Sequence, residues 1–265
     1  MEPIERGELA IELANIASAA GRLILARRES DCHIDRKTDG SPVTTADIEA
    51  ERFIRAKVSA ILTDVPIIAE ESFVATCKAP ARFILVDPLD GTREFVAGSD
   101  EFTVNIAVIE RGEPVVGAIY APALNALYLG GATAHHAQIP PGGAISGTSD
   151  LRVIGTSPVP GTGMRAVGSR SHMDSETAQW LDRLPAVELR SAGSSLKFCL
   201  IARGEADVYP RMAPTMEWDT AAGHAILNAA GGCVTSLDGT PLRYGKAHVG
   251  FKNTGFIAWG RTSVH

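Results

Sequence analysis

"FILVDPLDGTREF", residues 83–95, begins as one kind of structure and ends as another. Phe83, Ile84, Leu85 and Val86 form an apolar run suited to a buried strand. Asp87 and Asp90 then stand three apart, with Pro88 between them and Gly91-Thr92 behind. Two helix caps or turn acids are not needed three residues apart. A stiff proline turn that aims both carboxylates, and the Leu89 carbonyl between them, at one cation explains the pattern better. Gly91 permits close backbone approach, and its amide with that of Thr92 can hold a phosphate oxygen.

Other acids hold comparable places. Glu70 ends the apolar segment "VPIIA", Asp47 opens a helix after "SPVTTA", and Asp219 opens the helix "WDTAAGHAIL". Taken singly, Asp47 and Asp219 read equally as N-caps or surface turn residues. Carboxylates that converge in a partly buried place repel one another and lose solvation, and cations remove that cost. Hard oxygen donors with no His or Cys cluster beside them favour Mg2+.

The chain around this stretch has 265 residues, 45% hydrophobic and 21% charged, with a formal net charge of −6. The length suits one large domain or two coupled ones. The charge argues against a nucleic-acid polymer or an anionic membrane as partner and leaves a small anionic substrate open. Cys32, Cys77, Cys199 and Cys233 are far apart, so reduced thiols are expected rather than a zinc cluster. The start "MEPIERGELA" has no apolar signal core, and no stretch of about 18 apolar residues is read anywhere, so a cytoplasmic protein without an integral membrane segment is expected. Peripheral membrane association and the choice between monomer and homodimer stay open.

Leu9, Leu13, Ile16, Ala20 and Leu23 recur at helical spacing. After the turn-rich "DRKTDGSPVTTAD" (35–47), a second helix starts near Thr44 or Thr45, with Ile54, Val58, Ile61 and Leu62 on one face. Strands are expected over 83–86, 102–109, 113–120 and 126–129, with residues 130–150 as a loop or hairpin tip. Adjacent His135 and His136 lack a second ligand cluster and weigh little as a metal site. Beyond 150 the expected order is strand 151–155, strand 165–168, helix 174–184, helix 194–203, strand 206–209, helix 219–230, strand 233–236 and strand 256–259. Residues 1–150 thus read as an α+β half, two helices on a mostly antiparallel sheet, and 151–265 as an α/β half.

"AEES", "DPLDGTREF" and "WDTAAGHAILNAAGG", in this order, resemble the signature segments of the inositol monophosphatase superfamily of metal-dependent, lithium-sensitive phosphatases. "DGSPVTTAD" and "GSSLKFCLIARGEADVYPR" are similar to the 3′(2′),5′-bisphosphate nucleotidases within it, over about residues 10–260. The resemblance implies an α/β fold layered as an α-β-α-β-α sandwich. It implies that Glu70, Asp87 and the Leu89 carbonyl hold one Mg2+, that Asp87, Asp90 and Asp219 hold a second, and that a third, weaker ion sits by Glu70. It also implies that Thr92 and Asp47 activate the attacking water, for an in-line displacement with Glu70 in the catalytic set.

Substrate choice falls to the second half. Inositol monophosphatases carry a glutamate at the place aligned with Arg211, and arginine suits phosphate. Ser194 and Lys197 begin the helix "SSLKFCLIARG", which would complete a second phosphate site with Arg211. The resemblance implies that Asp219 and the Gly91-Thr92 amides face the same substrate. Lys197 also reads as a snorkelling surface lysine, Arg211 as a surface ion pair, and His172, in "GSRSH", as either a base contact or a plain surface histidine. The implied reaction is Mg2+-dependent removal of the 3′-phosphate of adenosine 3′,5′-bisphosphate, and of its sulfated form in sulfur metabolism. Inositol monophosphatase or fructose-1,6-bisphosphatase activity on the same fold is the nearest rival, and a catalytically silent nucleotide-binding regulator is a more distant one.

Overall fold

The computed structural model describes the chain except residues 31, 38–39, 75–77, 170–173, 185–186 and 262–265. In chain order the elements are α1 (Pro3–Glu29), β1 (Ile34–Arg36), β2 (Pro42–Thr44), α2 (Thr45–Ile61), β3 (Ile67–Ala69), β4 (Arg82–Asp90), α3 (Thr92–Val96), β5 (Thr103–Glu110), β6 (Glu113–Ala121), β7 (Ala126–Gly130), β8 (Ala134–Gln138) and β9 (Arg152–Val153). They continue as β10 (Met164–Ser169), α4 (Ser175–Leu181), β11 (Val187–Ala192), α5 (Leu196–Ala202), β12 (Val208–Arg211), β13 (Thr215–Met216), α6 (Glu217–Ala229), β14 (Cys233–Ser236), β15 (Lys252–Asn253) and β16 (Phe256–Trp259).

A seven-stranded sheet runs β3-β4-β5-β6-β7-β8-β9, antiparallel except for the β3–β4 pair. A five-stranded sheet runs β11-β10-β12-β16-β14, with β10 parallel to both β11 and β12. The helices sort by the faces they cover. Leu13, Ala17 and Ile24 of α1 and Ile54 and Val58 of α2 pack on Ile84, Val86, Ile106 and Ala118 of the large sheet. On its other face, Phe83, Leu85 and Ile119 share a core with Phe198 of α5, Ala222 and Ile226 of α6, and Tyr209 and Phe256 of the small sheet. Leu181 of α4 closes the far side on Ala166, Val208 and Ile257. The result is the expected α-β-α-β-α layering. Its middle layer lies tight because Gly117 leaves room: a Cβ there would stand 2.4 Å from the Ala222 carbonyl oxygen.

Several local expectations change. The 130–150 loop contains β8, whose His136 packs on Tyr128 with tilted rings 4.7 Å apart between centroids. Burial first, then Arg203 and Arg152, push His136 down to about 4, so it stays neutral there. Strand β9 belongs to the large sheet, pairing with β8. Helix 174–184 is only Ser175–Leu181, and β11 follows it unforeseen. Ile61 is 41% exposed rather than on the buried face of α2. Helix α1 is long and apolar enough to cross a membrane by length and composition alone, a test that core helices also pass, and half of its apolar window is buried in the protein.

Candidate active site

The decisive local feature is a β-bulge. On a regular strand, residues three apart point to opposite faces. Strand β4 runs through Asp90, but its register with β5 slips: Asp87 pairs with Asn105 and Asp90 with Thr103. Three steps on β4 oppose two on β5, so one extra residue is absorbed and both aspartates share a side. Gly91 then turns the chain at φ 93°, a left-handed conformation suited to glycine, and starts α3. The "DPLD" motif therefore closes the strand rather than following it.

Glu70, Asp87 and Asp219 each bring a carboxylate oxygen to within 4.8 Å of the others. Glu70 follows β3, Asp87 lies near the end of β4, and Asp219 lies in the first turn of α6. Asp90 flanks them and presses electrostatically on Asp87 and Asp219. Burial pushes Glu70 up to about 8, against the opposing charge of Lys37, and Asp219 adds to the rise. Burial, then Glu70, Asp90 and Asp219, raise Asp87 well above the usual carboxylate range. Burial and Asp90 take Asp219 to about 6, against a hydrogen bond from Thr215.

The donor set fits a hard cation. Its members are oxygen ligands that destabilise one another, and a cation already stands among them: Lys37 Nζ lies 2.5 Å from Glu70 Oε1 and 2.7 Å from Glu71 Oε1. Burial works against the Lys37 charge, but Glu70 and Glu71 outweigh it and raise its pKa. Lys37 was not singled out in the sequence, where it is one cation in a polar turn-rich stretch.

Asp47 serves two purposes with two oxygens. Oδ2 accepts from the Thr44 amide at 2.8 Å and the Thr44 hydroxyl at 2.6 Å, a capping box at the start of α2. Oδ1 accepts from Thr92 Oγ1 at 3.0 Å. The same hydroxyl lies 3.1 Å from the Leu89 carbonyl. Burial raises the Asp47 pKa against these hydrogen bonds. The cap and the Thr92 pairing, which compete as explanations in the sequence, coexist.

The acids line a cavity of about 470 Å3 that also takes in Gly91, Thr92, Ser194, Lys197 and Arg211. Lys197 is 4% exposed, which removes the surface-lysine alternative. Its ammonium donates to the carbonyls of Ser194 at 2.5 Å and Ala192 at 3.2 Å and lies over the Tyr209 ring. Ser194 Oγ donates to Asp90 Oδ2 at 2.7 Å, so it supports the acids rather than standing free. Arg211 is half-buried at the end of β12, and its guanidinium donates to the Pro214 carbonyl at 3.3 Å. Burial opposes its charge, but Tyr209 and Asp219 outweigh it and raise its pKa. His172 lies outside the described residues.

Residues 6–261 match the model of the inositol monophosphatase family. The chain belongs to the inositol monophosphatase family. Within it, the chain is similar to the 3′(2′),5′-bisphosphate nucleotidase CysQ of Escherichia coli strain K12, at 40% identity over 252 residues, 92% of this chain and 97% of that protein. The protein of the same description from Salmonella typhimurium is 44% identical over 226 residues, 83% of this chain and 86% of its own. Among solved structures, CysQ from Bacteroides thetaiotaomicron superposes with a TM-score of 0.81 at 37% identity, over 97% of this chain and 98% of that one. The sequence resemblance thus holds, and the protein is an enzyme of the inositol monophosphatase family.

Proposed function

We propose that this enzyme is a Mg2+-dependent phosphomonoesterase that removes the 3′-phosphate of adenosine 3′,5′-bisphosphate, giving AMP and phosphate. The observation that carries the reading is one cavity lined by both acids and cations. Glu70, Asp87, Asp90 and Asp219 line it together with Lys197 and Arg211. A substrate with two separated phosphates suits that lining, and relatives at 40% and 44% identity are 3′(2′),5′-bisphosphate nucleotidases.

Glu70, Asp87 and the Leu89 carbonyl would hold one cation, and Asp87, Asp90 and Asp219 a second. When bound, such ions neutralise charge on the phosphate and leaving oxygen and acidify a water. The chain's own residues do the rest. Thr92, with its proton directed to Asp47 Oδ1, offers an oxygen lone pair to the attacking water and so orients it. The proton released passes through Thr92 toward Asp47, a general base whose buried carboxylate is raised in pKa. Amides of Gly91 and Thr92 face the transferring phosphate. Lys197 and Arg211 grip the other phosphate, and their binding energy orients the one that reacts.

The test is a kcat/KM panel of adenosine 3′,5′-bisphosphate, inositol 1-phosphate and fructose 1,6-bisphosphate, with Mg2+ and with EDTA. The nucleotide is expected to lead with Mg2+, and all turnover to vanish in EDTA. A lead for inositol 1-phosphate would move the enzyme to the rival reading, and no Mg2+-dependent turnover of any of the three would contradict the phosphatase reading itself.

A further inference from the structure

Asp90 is held from behind. Its Oδ2 lies 2.7 Å from Ser194 Oγ, 2.8 Å from Ser195 Oγ and 3.3 Å from Asn105 Nδ2, while Oδ1 has no hydrogen bond among the described residues. Asn105 and Ser195 are each 1% exposed. Their own contacts are also fixed. Asn105 Nδ2 donates its second hydrogen to Ser195 Oγ at 2.9 Å, and Asn105 Oδ1 accepts from Thr103 Oγ1 at 2.8 Å. Ser195 Oγ lies 2.8 Å from the Asp219 carbonyl as well as from Asp90, so its single proton serves one or the other.

The turn that delivers Ser195 is itself constrained. Ser194 sits at φ 51°, a left-handed conformation that a serine rarely adopts. The Gly193 amide donates to Glu101 Oε2 at 2.7 Å, and a Cβ at Gly193 would stand 2.8 Å from the Glu101 carbonyl oxygen. Lys197 clamps the carbonyls on either side of Gly193. A costly backbone conformation held by this many contacts points to a placement that matters. What it places is a hydroxyl between Asp90, at the end of β4, and the Asp219 carbonyl, in the first turn of α6.

We propose that Asn105 and Ser195 are positioning residues that fix Asp90 and the Asp219 turn relative to each other as the seat of one divalent cation. The inference rests on the metal-dependent reading above. Residues that orient ligands without touching the ion change metal affinity by roughly 10–100-fold when lost. A role confined to packing would lower stability and leave ion affinity where it was.

The experiment is a Mn2+ titration of the purified full chain, reading free ion by electron paramagnetic resonance, on wild type, Asn105→Ala, Ser195→Ala and Ser195→Thr. Wild type is expected to bind at least two ions. In Asn105→Ala and Ser195→Ala one class should weaken by about 10-fold or more while the other stays within a factor of about two. Ser195→Thr, which keeps the hydroxyl, should restore most of the loss. Raising the ion concentration should recover most of kcat in both alanine variants. Alanine variants that fold and bind both classes as wild type does would overturn the proposal alone. A wild type that binds no Mn2+ would overturn the metal reading beneath it. Should either alanine variant fail to fold, Asn105→Ser takes its place: it shortens the donor without emptying the site, and unchanged affinities in it would count against the proposal equally.

Discussion

Thr92 Oγ1 lies 3.0 Å from Asp47 Oδ1, across 45 residues of sequence, while the second oxygen of the same carboxylate caps α2. The division of labour between the two oxygens makes the proposed catalytic part separable from the structural part. Thr92→Ala removes the hydroxyl that faces the proposed water and donates to Asp47 Oδ1, together with one methyl group. It should lower kcat by about 10²–10³, within the range for a positioned proton acceptor, and leave the cap and the melting temperature almost intact. Asp47→Asn should lose a similar factor in kcat and also about 1 kcal/mol of stability through the weakened cap. Equal stability losses in the two variants, or a Thr92→Ala enzyme within about threefold of wild-type kcat, would contradict the assignment.

The acidic cluster sets a pH dependence of stability in EDTA. Glu70 is raised to about 8, Asp219 to about 6 and Asp87 well above the usual carboxylate range, each first by burial and then by acidic neighbours. A carboxyl raised in the folded state still holds its proton after the unfolded chain, near pH 4, has released its own. The stability linked to these groups is therefore present below about pH 4 and is lost as pH rises through about 6 and 8. Wild type in EDTA should lose melting temperature from pH 5 to 8 more steeply than Asp87→Asn does. Mg2+ at pH 8 should restore wild type and do little for the variant, by mass action on the folded state. The same variant should keep less than about a tenth of wild-type kcat, a barrier rise above about 1.4 kcal/mol. Parallel pH profiles for the two proteins would mean that the acids do not repel one another as described.

These acids were legible in the sequence because each follows an apolar run or a tryptophan, where a carboxylate has no reason to be unless something compensates it. The large elements were legible for a similar reason: α1, α2 and α6 repeat apolar residues at helical spacing, and β4 to β7 are strongly apolar. Other features were hidden by their neighbours. Strand β8 lies among glycines and prolines that read as loop. Strand β11 has four successive exposed positions at the sheet edge, so its apolar alternation is absent. Asn105 looks like one polar interruption in "TVNIAVIE", and only the bulge opposite it reveals that it faces Asp90. Lys37 is an ordinary cation until the fold brings it to Glu70 and Glu71.

Arg211 supplies a prediction on substrate choice. A charge-assisted contact with a phosphate is worth roughly 1.5–3 kcal/mol. Arg211→Ala should therefore lower kcat/KM for adenosine 3′,5′-bisphosphate by about one to two orders of magnitude. Adenosine 3′-phosphate lacks the 5′-phosphate, and the variant should hydrolyse it nearly as well as wild type does. The comparison is a double-mutant cycle with the substrate as one partner. Equal losses on the two nucleotides would show Arg211 supporting the fold or the acids rather than a second phosphate.

The central claim is that the acids of the cavity receive the 3′-phosphate while Lys197 and Arg211 retain the 5′-phosphate. Chromatographic identification of the product of adenosine 3′,5′-bisphosphate turnover by the purified enzyme tests it most directly. The account predicts adenosine 5′-phosphate and inorganic phosphate in equal amounts, formed with Mg2+ and not in EDTA. Formation of adenosine 3′-phosphate instead, or no Mg2+-dependent product at all, would contradict it.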